Sequence, residues 1–298
     1  MLAYDWHYDN SSTDRPIEQR FHITYRALSR TPMSWRDEVL AAAKLIADTE
    51  TRPLLVCLSG GIDSEVVARA FMELGVPFTA LTVEFTDGTN AHDIAYAAKF
   101  CQQHGIKQEI MKLDPAYHFA QGIDRWVKAG YEAYSFYRYM QLYLVERAER
   151  MGCVSIHGGG TDCQTYFTHD DEICFKQNPG LICVLQWMQR KRSQHYPYFF
   201  TSTPEMCAAY QQIDVIETLL RNPDYFRSAT KSSVSLEKQM VMHALWLGME
   251  TRDKYTGFEL LQQQADSKAA EMARLFPHLG KKYFPISLVR QQLGLKPL

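Results

Sequence analysis

The sequence holds no C-x-x-C pair. Its seven cysteines stand apart at positions 57, 101, 153, 163, 174, 183 and 207. A zinc knuckle needs paired spacing, so the pattern argues against one. The opening residues, MLAYDWHYDN, contain neither a basic start nor an apolar core, against a secretory signal. No stretch approaches the ~18 apolar residues of a membrane helix, so no membrane partner is expected. Scattered, odd-numbered thiols without an export signal read as reduced and buried, and the expected compartment is the cytoplasm. Neither charge sign is in excess: 32 Lys and Arg stand against 34 Asp and Glu, a net charge of -2. This balance gives no general pull toward nucleic acid. The run Arg190-Lys191-Arg192 reads as a solvated patch. There is no internal repeat and no low-complexity tract.

What is present is an ordinary globular composition. Hydrophobic residues make up 46% and charged residues 22% of 298 positions, enough for one large domain or a domain with a smaller addition. Residues 1–33 have no clear period and read as an N-terminal arm. Ser34, with Asp37 and Glu38 behind it, marks a helix start, and Val39, Leu40, Ala43, Ile46 and Ala47 recur at helical spacing. Leu54 to Leu58 is an apolar run without alternation, as expected of a parallel strand buried on both faces. Next come a helix over 63–74, a strand over 78–85, a turn at 87–90, a helix over 91–104 and a strand over 107–113. A helix over 131–151 leads to a fourth strand at 153–156. This order predicts an α/β fold, a doubly wound parallel sheet with right-handed crossovers, over residues 34–170. Helical stretches at 203–220, 234–249 and 258–275 predict a mostly helical region over 171–298.

The string Ser59-Gly60-Gly61-Ile62-Asp63-Ser64 sits where the first buried strand ends and a helix begins. In open α/β sheets, ligands bind beyond the carboxyl ends of the strands. Unpaired N–H groups and the helix dipole favour anions there. Glycine lets the backbone approach a phosphate closely. Asp63 repels phosphate by itself and makes sense as a ligand for Mg²⁺. The same string would also serve as a plain strand-to-helix turn with Asp or Ser as the cap.

LSGGIDSE resembles the SGG-x-DS pyrophosphate loop of the N-type, or PP-loop, ATP pyrophosphatases. The resemblance implies an adenine nucleotide alpha hydrolase-like fold and cleavage of ATP between the α- and β-phosphates, with pyrophosphate held by Ser59, Gly60, Gly61, Asp63 and Ser64. The loop matches neither G-x-x-x-x-G-K-[ST] nor G-x-G-x-x-G, so the mechanics of those motifs do not transfer. A second loop, HGGGTD, resembles the G-x-G-x-D element of the asparagine-synthetase-like branch. It implies that Gly158, Gly159 and Gly160 flank the nucleotide and that Asp162 shares Mg²⁺ with Asp63. The branch usually has a second acidic residue after that Asp, where this chain has Cys163. Leu81 and Val83 lie where relatives seat adenine, and His92 and Asp93 could reach the nucleotide edge. Lys254 followed by Gly257-Phe258-Glu259 resembles, with different spacing, the catalytic lysine and G-x-E stretch of that branch. It implies catalytic roles for Lys254 and Glu259 beside Asp63. The aromatic stretch 196–205 either walls an acceptor pocket or belongs to the core.

The expected activity is therefore AMP-forming ligation, C–N bond formation foremost, on a small-molecule acceptor whose carboxylate or amide oxygen is adenylated. Glutamine-dependent relatives often carry Cys directly after Met1, and here residue 2 is Leu. The expected nucleophile is ammonia or an amine, with a partner protein as one source. Relatives are often homodimers. Three other readings use the same first loop: a tRNA thiolase, which wants reactive cysteines and a basic face; a phosphoadenylylsulfate reductase, which wants a late cysteine; and a nucleotide-binding regulator without turnover.

Overall fold

The computed structural model describes residues 4–8, 21–133, 135–159, 166–169, 172–177, 182–222, 231–246, 248–252, 257–279 and 282–298. Its centre is a four-stranded parallel sheet in the order β5-β4-β3-β6, made of β3 (Leu54–Cys57), β4 (Phe78–Phe85), β5 (Gln108–Leu113) and β6 (Val154–His157). Pairing of Leu54 with Phe78 on one side and Val154 on the other places β3 between its neighbours. The sheet therefore reverses direction of growth at β3, and such a switch point opens a crevice at the strand ends. Residue Tyr196 adds a parallel bridge to Ile156 on the outer edge of β6.

The apolar run at 54–58 works as two faces. Leu54, Val56 and Leu58 pack with Val66, Val67, Ala70 and Phe71 of α2 (Ile62–Glu73) and with α1 (Trp35–Thr49). Leu55 and Cys57 face the other way, joining Leu81 and, from α6 (Phe136–Arg150), Leu144 and Ala148. Both sheet faces are thus covered, which is why the strand shows no polar alternation. Ser34 caps α1 as expected, accepting from the Asp37 N–H at 3.2 Å. Helix α3 (Ala91–His104) ends at Gly105 in a left-handed conformation, φ 63°.

The connection after β5 holds α4 (Pro115–Tyr117), a π-helical turn at His118–Gly122 and α5 (Ile123–Lys128). Beyond β6 lie α7 (Ile182–Lys191), α8 (Pro204–Gln211), α9 (Asp214–Leu220), α10 (Lys231–Leu245), α11 (Gln262–Leu275) and α12 (Ile286–Leu293). Trp35 of α1 packs against Phe200, Tyr210 and Trp246, tying these later elements to the sheet domain. The later region is less uniformly helical than its periodicity predicts. An antiparallel sheet runs through it, β7 (Tyr166–His169), β8 (Glu172–Gln177) and β9 (Lys282–Pro285). The last strand comes from far downstream, and a local window of sequence cannot register such a pairing.

The arm at 1–33 also has structure. β1 (Tyr4–Tyr8) and β2 (Phe21–Tyr25) form an antiparallel ribbon. Its exit docks on α12 through Tyr25 N–H to Gln292 Oε1 at 3.1 Å and Leu28 N–H to the Leu293 carbonyl at 3.3 Å. Among the described residues, no helix is long and apolar enough to cross a membrane, and the six described cysteines are buried.

Candidate functional site

The first glycine loop turns sharply at Gly60, φ 90°, and Gly61 caps α2 without any side-chain hydrogen bond. Neither Asp63 nor Ser64 closes the helix start. Ser64 Oγ instead donates back to the Gly61 carbonyl at 2.8 Å and receives the Ser59 N–H at 3.2 Å. The first N–H groups of a helix have no intrahelical partner, so the start of α2 keeps its donors for a ligand.

The second glycine loop meets the first. A Cβ on Gly158 would lie 3.0 Å from Ser64 N and 3.1 Å from the Asp63 carbonyl carbon. Gly159 is held from the other side, its carbonyl accepting from Phe200 N–H at 3.0 Å. The structure thus brings Ser59, Gly60, Gly61, Asp63, Ser64, Gly158 and Gly159 to one end of the sheet. Gly160, Asp162 and Lys254 lie outside the described residues, and of Glu259 only the backbone is described, in a short 3-10 turn at Phe258–Leu261.

Beside the loops is a cavity of about 390 Å³. One wall is apolar: Leu81 and Val83 of β4 lie with Met140 and Leu144 of α6. Leu81 and Val83, expected at the adenine, thus line this cavity. Asn90 fixes the end of β4, accepting from Phe85 N–H and donating to the Val83 carbonyl, each at 2.9 Å. Asp93 lines the cavity. His92, by contrast, packs edge-on against Tyr96.

The polar wall carries residues that the sequence did not single out. Lys238 of α10, nearly buried, places Nζ 2.5 Å from Asp63 Oδ1. That oxygen is itself buried and receives no well-angled hydrogen bond. Arg252 donates to the Gly60 carbonyl and pairs with Glu65, and its guanidinium stacks 4.6 Å from the Tyr96 ring centre. Arg138 and Gln141 come from the first turns of α6. Their only sequence signal is charge or polarity, and nothing local links them to a loop so distant in the chain.

His157 ends β6 and also lines the cavity. Its Nδ1 contacts Gln141 Oε1, and its Nε2 lies 2.9 Å from Ser155 Oγ. Ser155 continues to His195 Nδ1 at 2.9 Å. Burial pushes the His157 imidazole down to about 3, and the neighbouring His195 adds to the shift. It is a neutral hydrogen-bonding group at physiological pH. Burial pushes the Cys57 thiol up, so no thiolate faces this cavity.

The donor set fits a divalent ion in one respect. Asp63 presents a buried carboxylate oxygen, paired in charge with Lys238 but accepting no hydrogen bond, next to the uncapped helix start. Among the described residues no three His, Cys, Asp or Glu side chains form a metal cluster. A hard cation such as Mg²⁺ would therefore be held by Asp63 together with phosphate oxygens, as Mg²⁺ is often bound.

The family model for asparagine synthase matches residues 35–255. No curated protein matches the chain. Solved structures with a similar course include an NMN synthetase from Francisella tularensis, 16% identical, covering 85% of this chain and 99% of that one, TM-score 0.37. An NH3-dependent NAD synthetase from Campylobacter jejuni is 15% identical, covering 82% and 94%, TM-score 0.35. A U34-tRNA thiolase from Methanococcus maripaludis is 12% identical, covering 87% and 78%, TM-score 0.33. With TM-scores under 0.5, none of the three bears on the substrate.

Proposed function

The chain belongs to the asparagine synthase family of PP-loop ATP pyrophosphatases, and from that premise we propose that it activates a small acceptor as an adenylate for amidation or ligation. An oxygen of the acceptor carboxylate or amide attacks the α-phosphorus. The bond to the β-phosphate oxygen breaks and pyrophosphate leaves. Ammonia or an amine, free or delivered by a partner protein, then attacks the activated carbon and AMP departs.

The observation that carries this reading is the meeting of two glycine loops at an uncapped helix start. The free N–H donors of Ile62 to Ser64 would hold the departing pyrophosphate, and glycine at 60 and 158 lets α3 and the second loop pack against this turn. The apolar wall of Leu81, Val83, Met140 and Leu144 suits a purine ring. Asp63 would hold Mg²⁺, which neutralises charge building on the leaving group. Neutral His157, with both nitrogens engaged, positions Gln141 at the β6 end without adding charge. Lys254 and Glu259 are proposed as catalytic residues, and Asp162 as the second metal ligand, on the family resemblance.

The test is release of pyrophosphate from ATP and MgCl₂, screened over carboxylate acceptors with ammonium present. Asp63→Ala should lower release by about 100-fold or more, the scale of removing one charge-stabilising group, with an unchanged circular dichroism spectrum. Undiminished release in that variant would remove Asp63 from the site.

A further inference from the structure

We propose that Lys238 is a built-in cation for the polyphosphate, so that this pocket binds ATP without Mg²⁺ and needs the metal only for cleavage. The inference rests on the ATP-binding reading and adds a residue that the sequence pattern did not assign.

Lys238 lies on α10, far along the chain from the first glycine loop, and its side chain is only 11% exposed. Burying a lysine that deeply is costly unless a partner compensates. Its partner is Asp63, at 2.5 Å. An ammonium carries three donors, and Lys238 lines the nucleotide cavity alongside Asp63. One donor faces the carboxylate, and the ammonium lies on the wall where phosphate would sit. The contact with Oδ1 is close in distance but lacks hydrogen-bond angles. It is a charge contact, which a rotation of the lysine stem can redirect.

The charge balance at the helix start gives the lysine its role. An isolated Asp63 would repel a triphosphate resting on the start of α2. With Lys238 beside it, the pair is neutral, and the helix start attracts the anion unopposed. Arg252 does not do this work, because its guanidinium is committed to Glu65 and the Gly60 carbonyl. With Mg²⁺ bound, Asp63 would hold the metal, which would neutralise charge on the phosphates, and Lys238 would face the phosphates. The lysine would thus neutralise the carboxylate in the metal-free pocket.

The experiment is calorimetric titration with α,β-methylene-ATP, which cannot be cleaved at the scissile position, in EDTA and in MgCl₂. Wild type should bind in both. Lys238→Met should lose at least tenfold in affinity in EDTA and distinctly less in MgCl₂, where the ion replaces the missing charge. Lys238→Met with Asp63→Asn removes repeller and cation together, and should regain metal-free binding to within about threefold of wild type. Equal metal-free affinity in Lys238→Met and wild type would overturn the proposal. Equal losses in both buffers without rescue by Asp63→Asn would overturn it too, since that pattern marks a merely structural lysine. Wild type that binds in MgCl₂ but not in EDTA refutes this inference alone. Wild type that binds in neither refutes the ATP-binding reading along with it.

Discussion

At Gly60 the backbone stands at φ 90°, and an added Cβ would fall 1.9 Å from the Asp93 carbonyl oxygen. That atom is backbone and cannot swing aside. Gly61, next in sequence, has φ -75° and would meet only Ser59 Oγ at 3.4 Å. The sequence shows two equivalent glycines, but the structure makes one indispensable. Gly60→Ala should cost about 2–3 kcal/mol in urea unfolding, from strain plus displacement of the α3 start. Gly61→Ala should cost less than about 1 kcal/mol, the scale of a weakened helix cap. Equal costs would refute this difference between the two positions. The same limit explains what sequence reading missed here. Asp63 announces itself within a motif, whereas its partner Lys238 is one lysine on an ordinary amphipathic helix, identifiable only when the fold brings it to 2.5 Å.

Among the elements, the readable ones are those whose reasons are local. β4 and α3 fall on the residues their patterns predict, because an apolar run and a helical stripe are each satisfied by the nearest layer. β7 and β8 are sequence neighbours, and their short pairing was missed although it is local. β9 was not readable, because it pairs with β8 from the opposite end of the later region. Nor was the role of residues 248–252 and 257–258, which lie across the first loop from outside. The Gly248 carbonyl accepts from Arg69 at 3.1 Å, Glu250 pairs with Lys99, and Arg252 grips Gly60 and Glu65. Gly257 presses on the turn at Thr89 and Asn90, where a Cβ would come within 2.8 Å of backbone. Phe258 then closes on Phe85 with ring centres 5.0 Å apart. Arg252→Leu should therefore loosen the loop as well as the strap. Glu65 keeps Arg69 at 2.7 Å, so the stability loss should stay near 1–3 kcal/mol, below that of a fully stranded buried charge. Hydrogen exchange should rise at residues 60–64 in this variant while β4 and β5 keep wild-type protection. Unchanged exchange at the loop would mean that the strap is passive.

Across the whole molecule, the notable electrostatic feature is buried neutral histidine. Burial pushes His157 down to about 3 and His118 down to about 4. His195 is also lowered by burial, although Glu149 beside it works in the opposite direction. His118 sits among Phe119, Tyr143 and Phe258, with the Phe136 backbone tempering its shift and Lys268 adding to it. Neither of its nitrogens makes a well-formed hydrogen bond. In the unfolded chain these rings take up protons near pH 6.5. The folded state refuses them until far lower pH. Their contribution to stability is thus complete above about pH 6.5 and drains as pH falls toward 4 and 3, at up to about 1.4 kcal/mol per pH unit for each ring. The urea midpoint should fall clearly between pH 7.5 and pH 5.5. His118→Phe isolates one ring. It keeps the aromatic packing and removes two polar atoms that lack good partners, an exchange that is close to neutral or stabilising. Its midpoint at pH 7.5 should match or exceed wild type, and it should lose less on acidification because one proton uptake is gone from the unfolded state. An acid limb as steep as that of wild type would show that His118 is already charged in the fold, contrary to its surroundings.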